Sequence, residues 1–163
     1  MFYLVYISAA VKPFSEEQLV KLLDVSRRNN AGCGITGMLL YKDGKFMQLL
    51  EGAKDTVLSL MDKVAADPRH RRVTVLLEGE RPGREFEGWS MGFQRLDTPE
   101  ARELPGYSDL FNVPLDGDAL FSSSASECLR MFLKLKSPAR TAAPQRENEG
   151  KYRYWAPTDA ARS

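Results

Sequence analysis

Residues 34–52 read GITGMLLYKDGKFMQLLEG, and this stretch decides the fold because it predicts a β-hairpin. Two largely apolar runs, residues 35–41 and 45–51, flank the pair Asp43-Gly44. Aspartate followed by glycine is a strong signal for the tight turn of a hairpin. We therefore expect two antiparallel strands joined at this pair.

Gln48, on the second of these strands, is unusual for its position. Alternate side chains of a strand point to the same face, so Gln48 shares its face with Phe46 and Leu50. A buried amide without a hydrogen-bond partner costs about 1–3 kcal/mol. Either water reaches this face of the sheet, or a group inside the fold forms a hydrogen bond with the Gln48 amide.

The chain before the hairpin predicts a strand and then a helix. Residues 2–8, FYLVYIS, are mostly aromatic and β-branched, as strands prefer. Ser15 is a suitable N-cap for the following helix, because acidic residues occupy the next positions. We expect Asn29-Asn30 to end this helix.

The chain after the hairpin predicts a second helix and two more strands. The helix is expected from Gly52 to about residue 66, with a break at Asp67-Pro68. Residues 71–80, RRVTVLLEGE, predict a fourth strand. Residues 84–96 are expected to end in a fifth strand, and one face of it would carry Trp89, Met91 and Phe93.

The order β-α-β-β-α-β-β predicts an α+β fold, a ferredoxin-like sandwich with a mixed sheet and both helices on one face. The first and third strands are neighbours in this topology, so Tyr6 and Gln48 can touch. Residues 1–97 would form this domain. Residues 98–136 predict a C-terminal helical extension, and residues 137–163 a linker-like, flexible tail.

Composition excludes several classes of function. The net charge of +1 over 163 residues implies no broad electrostatic footprint for nucleic acid and leaves local basic clusters open. No apolar run approaches the roughly 20 residues that cross a bilayer. The chain has too few ligands for a transition-metal site, because it contains one histidine, His70, and two distant cysteines, Cys33 and Cys128. This low cysteine content is most simply explained by a location in the reducing cytosol.

The polar residues of the inner face admit two interpretations. Tyr6 and Gln48 can satisfy each other in a small hydrogen-bond network that completes the core. Alternatively, a planar polar ligand such as a flavin lies between the helices, where Asn30 and Gln48 each supply a donor and an acceptor. The residues alone leave both open.

Five sequence blocks in register resemble the signature blocks of the BLUF family, sensors of blue light using FAD. The resemblance covers about residues 2–96, and its blocks are LVYIS, SRRNNAGCGITGMLLY, FMQLLEG, DPRHRRV and FEGWSMGF. It implies the same ferredoxin-like fold, with the flavin ring held between the two helices. FAD is the implied cofactor, with FMN and riboflavin as alternatives, because the ring carries most of the recognition.

The resemblance also implies roles for individual residues. Tyr6 matches the photochemical tyrosine, Gln48 the switching glutamine, and Asn30 the asparagine that holds the polar edge of the flavin. Further contacts with the flavin are implied for Asn29 and Ile35. The residues that match those arranged around the glutamine are Ser8, Trp89 and Met91.

Arg69 and His70 fall in the turn after the second helix, where members of the family often have Arg-His. They would either contact the flavin phosphates or form an exposed cationic loop. Trp89 would be an alternative electron donor, or would only fill the edge of the core. Cys33 is expected to pack and lies in no motif for a covalent flavin adduct.

The family's chemistry implies a light sensor that is not an enzyme. Excited flavin would take an electron and a proton from Tyr6, and recombination would leave Gln48 rotated or tautomerised and the absorption shifted to the red. The signal would pass through the last strand and the segment after residue 97 to an unidentified protein partner. Self-association into a homo-oligomer such as a dimer is expected.

Two rival classes remain from the sequence. One is a flavin-free ferredoxin-like interaction domain. The other is an enzyme, either an acylphosphatase-like hydrolase or a flavin-dependent reductase. No Gly-rich arginine loop follows the first strand, and no nicotinamide fingerprint is present, so both enzymes are disfavoured.

Overall fold

The computed structural model of the chain describes residues 1–99, which form five strands and two helices. The predicted helical extension, residues 98–136, lies outside the described residues except for 98 and 99, and the predicted tail, residues 137–163, lies wholly outside them, so both stay predictions. Neither helix of the described part is long and apolar enough to cross a membrane. The elements are β1 (Phe2–Ala10), α1 (Glu16–Cys33), β2 (Thr36–Lys42), β3 (Lys45–Gly52), α2 (Lys54–Ala66), β4 (His70–Glu80) and β5 (Gly92–Arg95).

The strands form one mixed sheet in the order β4-β1-β3-β2-β5. Strand β1 is antiparallel to both β3 and β4, whereas β2 is antiparallel to β3 and parallel to β5. Both helices bury side chains in the core cluster that contains Tyr6, Phe46 and Leu50, so they cover the same face. The predicted ferredoxin-like sandwich is confirmed.

The hairpin turn forms at Asp43-Gly44, as its sequence predicts. The φ angles are 47° at Asp43 and 78° at Gly44, the left-handed values that a tight hairpin turn between right-twisted strands requires. The turn sets the register in which Leu39 lies opposite Gln48. Gln48 is therefore fixed on the helix-covered face of the sheet.

Helix α1 begins as predicted but ends later. The Ser15 hydroxyl accepts the backbone N–H of Gln18, and the Gln18 side chain accepts the N–H of Ser15, a complete capping box. The prediction that Asn29-Asn30 end the helix is wrong, because Gly34 at φ 67° provides the C-cap and donates to the Asn30 carbonyl. Asn30 thus lies inside a rigid helix.

Helix α2 begins two residues after the predicted start. Gly52 is the last residue of β3, and Ala53 remains extended, so the first helical residue is Lys54. A Cβ at Gly52 would lie 3.3 Å from Val57 and 3.4 Å from the Gly34 carbonyl. Glycine here lets the strand end close beneath both helices.

The last strand is shorter than predicted. Trp89 and Met91 precede β5, so the prediction that they lie on the strand is wrong. Gly88 at φ 79° turns the chain just before them, and the alternation of an extended strand does not apply. Met91 and Phe93 join the core cluster, but the Trp89 ring packs edge-to-face on Phe86, with 6.0 Å between ring centroids.

Candidate functional site

Tyr6 and Gln48 form the centre of the helix-covered face. They lie directly opposite each other on β1 and β3, and the Tyr6 hydroxyl donates a 2.5 Å hydrogen bond to Gln48 Oε1. Both residues are buried. The expected contact is confirmed, and the partner of the buried amide lies inside the fold.

Burial raises the pKa of the Tyr6 hydroxyl above its ordinary value near 10, and the charge of Asp67 raises it further. Both causes disfavour the phenolate. Tyr6 therefore keeps its proton across the physiological range and acts as a donor to Gln48.

Met91 is the second partner of Gln48. The carboxamide Nε2 donates to Met91 Sδ over 3.1 Å, and Met91 is fully buried. A thioether is a weak acceptor. Gln48 thus bridges a strong hydrogen bond to Tyr6 and a weak one to Met91, so rotation of its amide changes both contacts together.

Three further hydrogen bonds hold segment 89–91, the chain from Trp89 to Met91. Asn30 Nδ2 donates to the Ser90 carbonyl at 2.8 Å, and Arg27 Nε donates to the Met91 carbonyl at 3.0 Å. The backbone N–H of Gly37 donates to the Trp89 carbonyl at 3.0 Å. Helix α1 and strand β2 therefore fix the backbone that carries Met91.

The Trp89 side chain packs on Phe86 and Gly92. Its ring lies over Gly92, where a Cβ would come within 2.3 Å of the ring. Only glycine leaves room for this arrangement. The structure brings Met91 to Gln48, but it places Trp89 elsewhere.

A cavity of about 220 Å³ opens between α1 and α2 above the Tyr6–Gln48 pair. It adjoins a larger cavity of about 760 Å³, because Asn29, Asn30, Leu60 and Lys63 line both. Ile35 and the exposed Cys33 line the larger cavity, so the prediction that Cys33 packs is wrong. The apolar walls of the smaller cavity are formed by Leu22, Val25, Leu39, Phe46, Leu60 and Val64.

His70 and Arg69 line the smaller cavity at its far end but differ in environment. His70 is half-buried at the start of β4, with its ring 5.0 Å from that of Phe46. Its Nδ1 lies 3.0 Å from the hydroxyl of the buried Ser8. Burial lowers the pKa of His70, so the imidazole is neutral near pH 7.

The interpretation of this pair as an exposed cationic loop therefore suits Arg69 and not His70. Arg69 is exposed and forms a 2.6 Å ion pair with Asp67. Ser8, expected beside Gln48, instead pairs with His70. The structure thus separates the predicted site residues into a group at Gln48 and a group at His70.

The donor set fits the polar edge of a flavin ring. Gln48 and Asn30 present carboxamides to the same cavity, and each NH₂ group donates one proton to a protein acceptor, to Met91 or to Ser90. Each amide has a second N–H available for a ligand. The apolar walls suit an aromatic ring. Residues 1–99 contain no group of three or more potential metal ligands.

Sequence reasoning missed Arg27, Glu51 and Arg84. Glu51 is fully buried and accepts the backbone N–H groups of Glu85 and Phe86 at 2.8 and 3.0 Å. Arg84 donates to the Glu51 carbonyl at 3.1 Å. These contacts fix the start of the segment that leads to Met91. The only signal in the sequence was a carboxylate within the apolar run of β3.

Comparison with known proteins points to one family. The model of the family BLUF, sensors of blue-light using FAD, matches residues 1–92. Photoactivated adenylate cyclase subunit alpha of Euglena gracilis is 30% identical over 145 residues, 85% of this chain and 14% of the cyclase subunit. The blue light- and temperature-regulated antirepressor BluF of Escherichia coli (strain K12) is 31% identical over 70 residues, 43% of this chain and 17% of BluF.

A solved structure of similar length shares the fold. The dark-state structure of BlrB, a BLUF protein, aligns with a TM-score of 0.68 at 28% identity, over 83% of this chain and 96% of BlrB. The chain thus spans under a fifth of the length of the two relatives named above but nearly all of BlrB.

Proposed function

Because the chain belongs to the BLUF family of blue-light sensors that use FAD, we propose that it is a photoreceptor in which Tyr6 and Gln48 carry the light response of a flavin bound between α1 and α2. The BLUF domain is a photosensor domain and is not itself catalytic. The observation that carries the proposal is the hydrogen-bonded Tyr6–Gln48 pair beneath a cavity with carboxamides and apolar walls.

Asn30 and Gln48 would hold the polar edge of the flavin. Both are buried and both line the cavity, so their amides act where water competes little. Leu39 and Phe46 from the sheet and Leu60 from α2 would pack on the ring. We propose FAD as the cofactor, with FMN and riboflavin as alternatives that share the ring.

A bound flavin supplies the absorption of blue light and, once excited, a strong oxidant. Tyr6 is the proposed electron donor, because it lines the cavity whereas Trp89 packs on Phe86. Oxidation makes the phenol far more acidic. The proton of Tyr6 would then pass along the 2.5 Å hydrogen bond to Gln48 Oε1, and Tyr6 would regain a proton when the electron returns to it.

Gln48 is the proposed switch. Rotation or tautomerisation of its carboxamide exchanges its donor and acceptor, which alters the hydrogen bond to Tyr6 and releases Met91 Sδ. One neutral hydrogen bond is worth about 0.5–1.5 kcal/mol. Inverting a 1:99 equilibrium needs about 5.5 kcal/mol, so the output must draw on contacts beyond Gln48.

We propose that those contacts lie in segment 89–91, in β5 and in the chain after residue 97, and that they reach a protein partner. The names of two relatives connect light to an adenylate cyclase and blue light to an antirepressor. This chain covers only a small share of either relative, and we propose a contact with a protein partner as its own output. A cytoplasmic homo-oligomer remains part of the proposal.

The function is tested by adding FAD to flavin-free protein and illuminating the product. We expect saturable binding, a yellow protein, and a spectral change under blue light that reverses in darkness. Capture of partners from the native cell, in darkness and under blue light, tests the output, and we expect at least one partner to bind in only one condition. A protein that binds no flavin contradicts the proposal.

One observation favours the flavin-free interaction domain as a second candidate. Residues 1–99 contain no buried side-chain nitrogen or oxygen without a hydrogen-bond partner. The Tyr6 hydroxyl and both polar atoms of the Gln48 side chain therefore each have a protein partner without a ligand. The same flavin titration separates the candidates, because an interaction domain would remain colourless after reconstitution.

A further inference from the structure

Arg27 connects helix α1 to the backbone of Met91. Its side chain is half-buried, and its Nε donates to the Met91 carbonyl at 3.0 Å, although the two residues are 64 positions apart. The neighbouring Arg28 is exposed, and its Nε donates to the Asp24 carbonyl of its own helix at 3.4 Å. The two arginines thus form a matched pair on one helix.

Met91 is held at both ends. Arg27 fixes its backbone carbonyl, and Gln48 Nε2 contacts its sulfur at 3.1 Å. A methionine side chain has three rotatable bonds, so its sulfur stays in one place only when the backbone and the surrounding packing hold it. A hydrogen bond from a charged guanidinium is stronger than a neutral one and suits this purpose.

The chain leading to Met91 is held by hydrogen bonds near both of its ends. Glu51 holds the backbone N–H groups of Glu85 and Phe86, which fixes the start of this segment to β3. Beyond Gly88, the contacts with Arg27, Asn30 and Gly37 hold the backbone. A change at Gln48 therefore acts on a short stretch in which the Ser90 and Met91 carbonyls are bound to α1 and the Trp89 carbonyl is bound to β2.

We propose that Arg27 is a positioning residue for the light response: its hydrogen bond to the Met91 carbonyl keeps the Met91 sulfur on Gln48 and couples the state of Gln48 to helix α1. This inference rests on the proposed photoreceptor function. The light-induced change at Gln48 would then reach helix α1 as well as strand β5.

The first test needs no flavin. In the flavin-free full-length chain, amide hydrogen exchange is measured at Gly37, which donates to the Trp89 carbonyl, and at Trp89, which donates to the Phe86 carbonyl. Arg27→Met should accelerate exchange at both amides by about tenfold. Arg28→Met is the control and should leave both within about twofold. Equal exchange in the two variants overturns the proposal.

The second test uses the flavin-loaded full-length chain and measures its return to the dark spectrum after blue light. Arg27→Met should slow this return by about three- to tenfold, because re-forming the contact between Gln48 and Met91 requires a positioned backbone. In a Met91→Leu background, which lacks the sulfur, Arg27→Met should have no further effect. An equal slowing in both backgrounds means a merely structural role and overturns the proposal.

Arg27→Lys provides a second variant in case Arg27→Met does not fold. Lysine keeps the charge and a donor but lacks the planar guanidinium, so its effect should lie between the wild-type protein and Arg27→Met. Recovery and exchange equal to wild-type in Arg27→Lys, together with an unfolded Arg27→Met, would overturn the positioning role. Absence of any light response in the wild-type protein would instead refute the proposed function.

Discussion

The Tyr6 hydroxyl and the Gln48 carboxamide oxygen are joined across strands β1 and β3 by a 2.5 Å hydrogen bond. Burial and the charge of Asp67 both raise the pKa of Tyr6, so its role as donor is fixed. A proton that leaves Tyr6 therefore has Gln48 as its acceptor. This relationship makes the pair suited to a reaction that moves an electron and a proton together.

Replacing Tyr6 with phenylalanine should abolish the normal light response. Tyr6→Phe removes the proton and the oxidisable phenol but keeps the ring in the core, so flavin binding should persist. Absorption spectra before and after blue light measure the effect. Tyr41→Phe is the control, because this buried tyrosine accepts the Phe14 N–H and does not contact Gln48. A normal red shift in Tyr6→Phe would remove its assigned role.

Asn30 should contribute more to flavin affinity than Asn29. Asn30 is buried and lines the cavity with its amide held by the Ser90 carbonyl, whereas Asn29 lines the cavity but is exposed. Asn30→Ala should weaken binding at least about tenfold, which corresponds to ~1.4 kcal/mol. Fluorescence titration of flavin measures both variants. Equal affinities for Asn30→Ala and Asn29→Ala would contradict the assignment.

Acidification should destabilise the protein through His70. Its pKa is lowered by burial and by Arg69 and is partly restored by Asp67, so the unfolded chain takes up the proton more readily. Stability is then full above the ordinary pKa of about 6.5 and falls as pH drops below it toward the folded pKa. Urea unfolding from pH 7.5 to 5 measures this loss.

The matched variant for this prediction is His70→Gln, which does not titrate in this range and keeps a polar side chain near Ser8. Its stability should depend less on pH between 7.5 and 5 than that of the wild-type protein. The hydrogen bond from Arg69 is the chief cause that lowers the pKa of Asp67 to about 2. Protonation of Asp67 therefore affects stability only in a more acidic pH range than that of His70. Identical pH slopes for His70→Gln and wild-type would contradict the account.

Glu51 should be the carboxylate on which domain stability depends most. Glu51→Gln keeps the shape, but its NH₂ group would face the backbone N–H groups of Glu85 and Phe86. We expect a loss of about 1.5–3 kcal/mol in the free energy of unfolding. The exposed Glu78→Gln on β4 should change it by less than about 0.5 kcal/mol. Denaturant titration measures both, and equal losses would refute the role of Glu51.

The sequence predicts the fold because its strongest local signals agree with one topology. Asp43-Gly44 specifies the hairpin, and Ser15 with Gln18 specifies the start of α1. Element ends are less predictable, because they depend on backbone conformation. The pair Asn29-Asn30 resembles a helix stop, yet the chain continues to Gly34, where glycine adopts the left-handed conformation without strain.

The site is predictable in part for the same reason. Alternation along β1 and β3, combined with the strand order, brings Tyr6 to Gln48 from sequence alone. Arg27 and Glu51 could not be assigned, because their partners are backbone groups of an irregular loop. The sequence pattern predicts Trp89 on the same face as Met91 and Phe93, because it applies the two-residue period of a strand. Trp89 precedes β5, so this period does not hold there.

The account depends most directly on what blue light does to the absorption of the flavin-loaded wild-type protein. A light-minus-dark spectrum, followed through recovery in darkness, is the measurement. We predict that the flavin band shifts to longer wavelength without bleaching and returns fully, because only the hydrogen bonds around the ring have changed. An unchanged spectrum, or one that bleaches as the flavin is reduced or covalently trapped, would contradict the switch built on Tyr6 and Gln48.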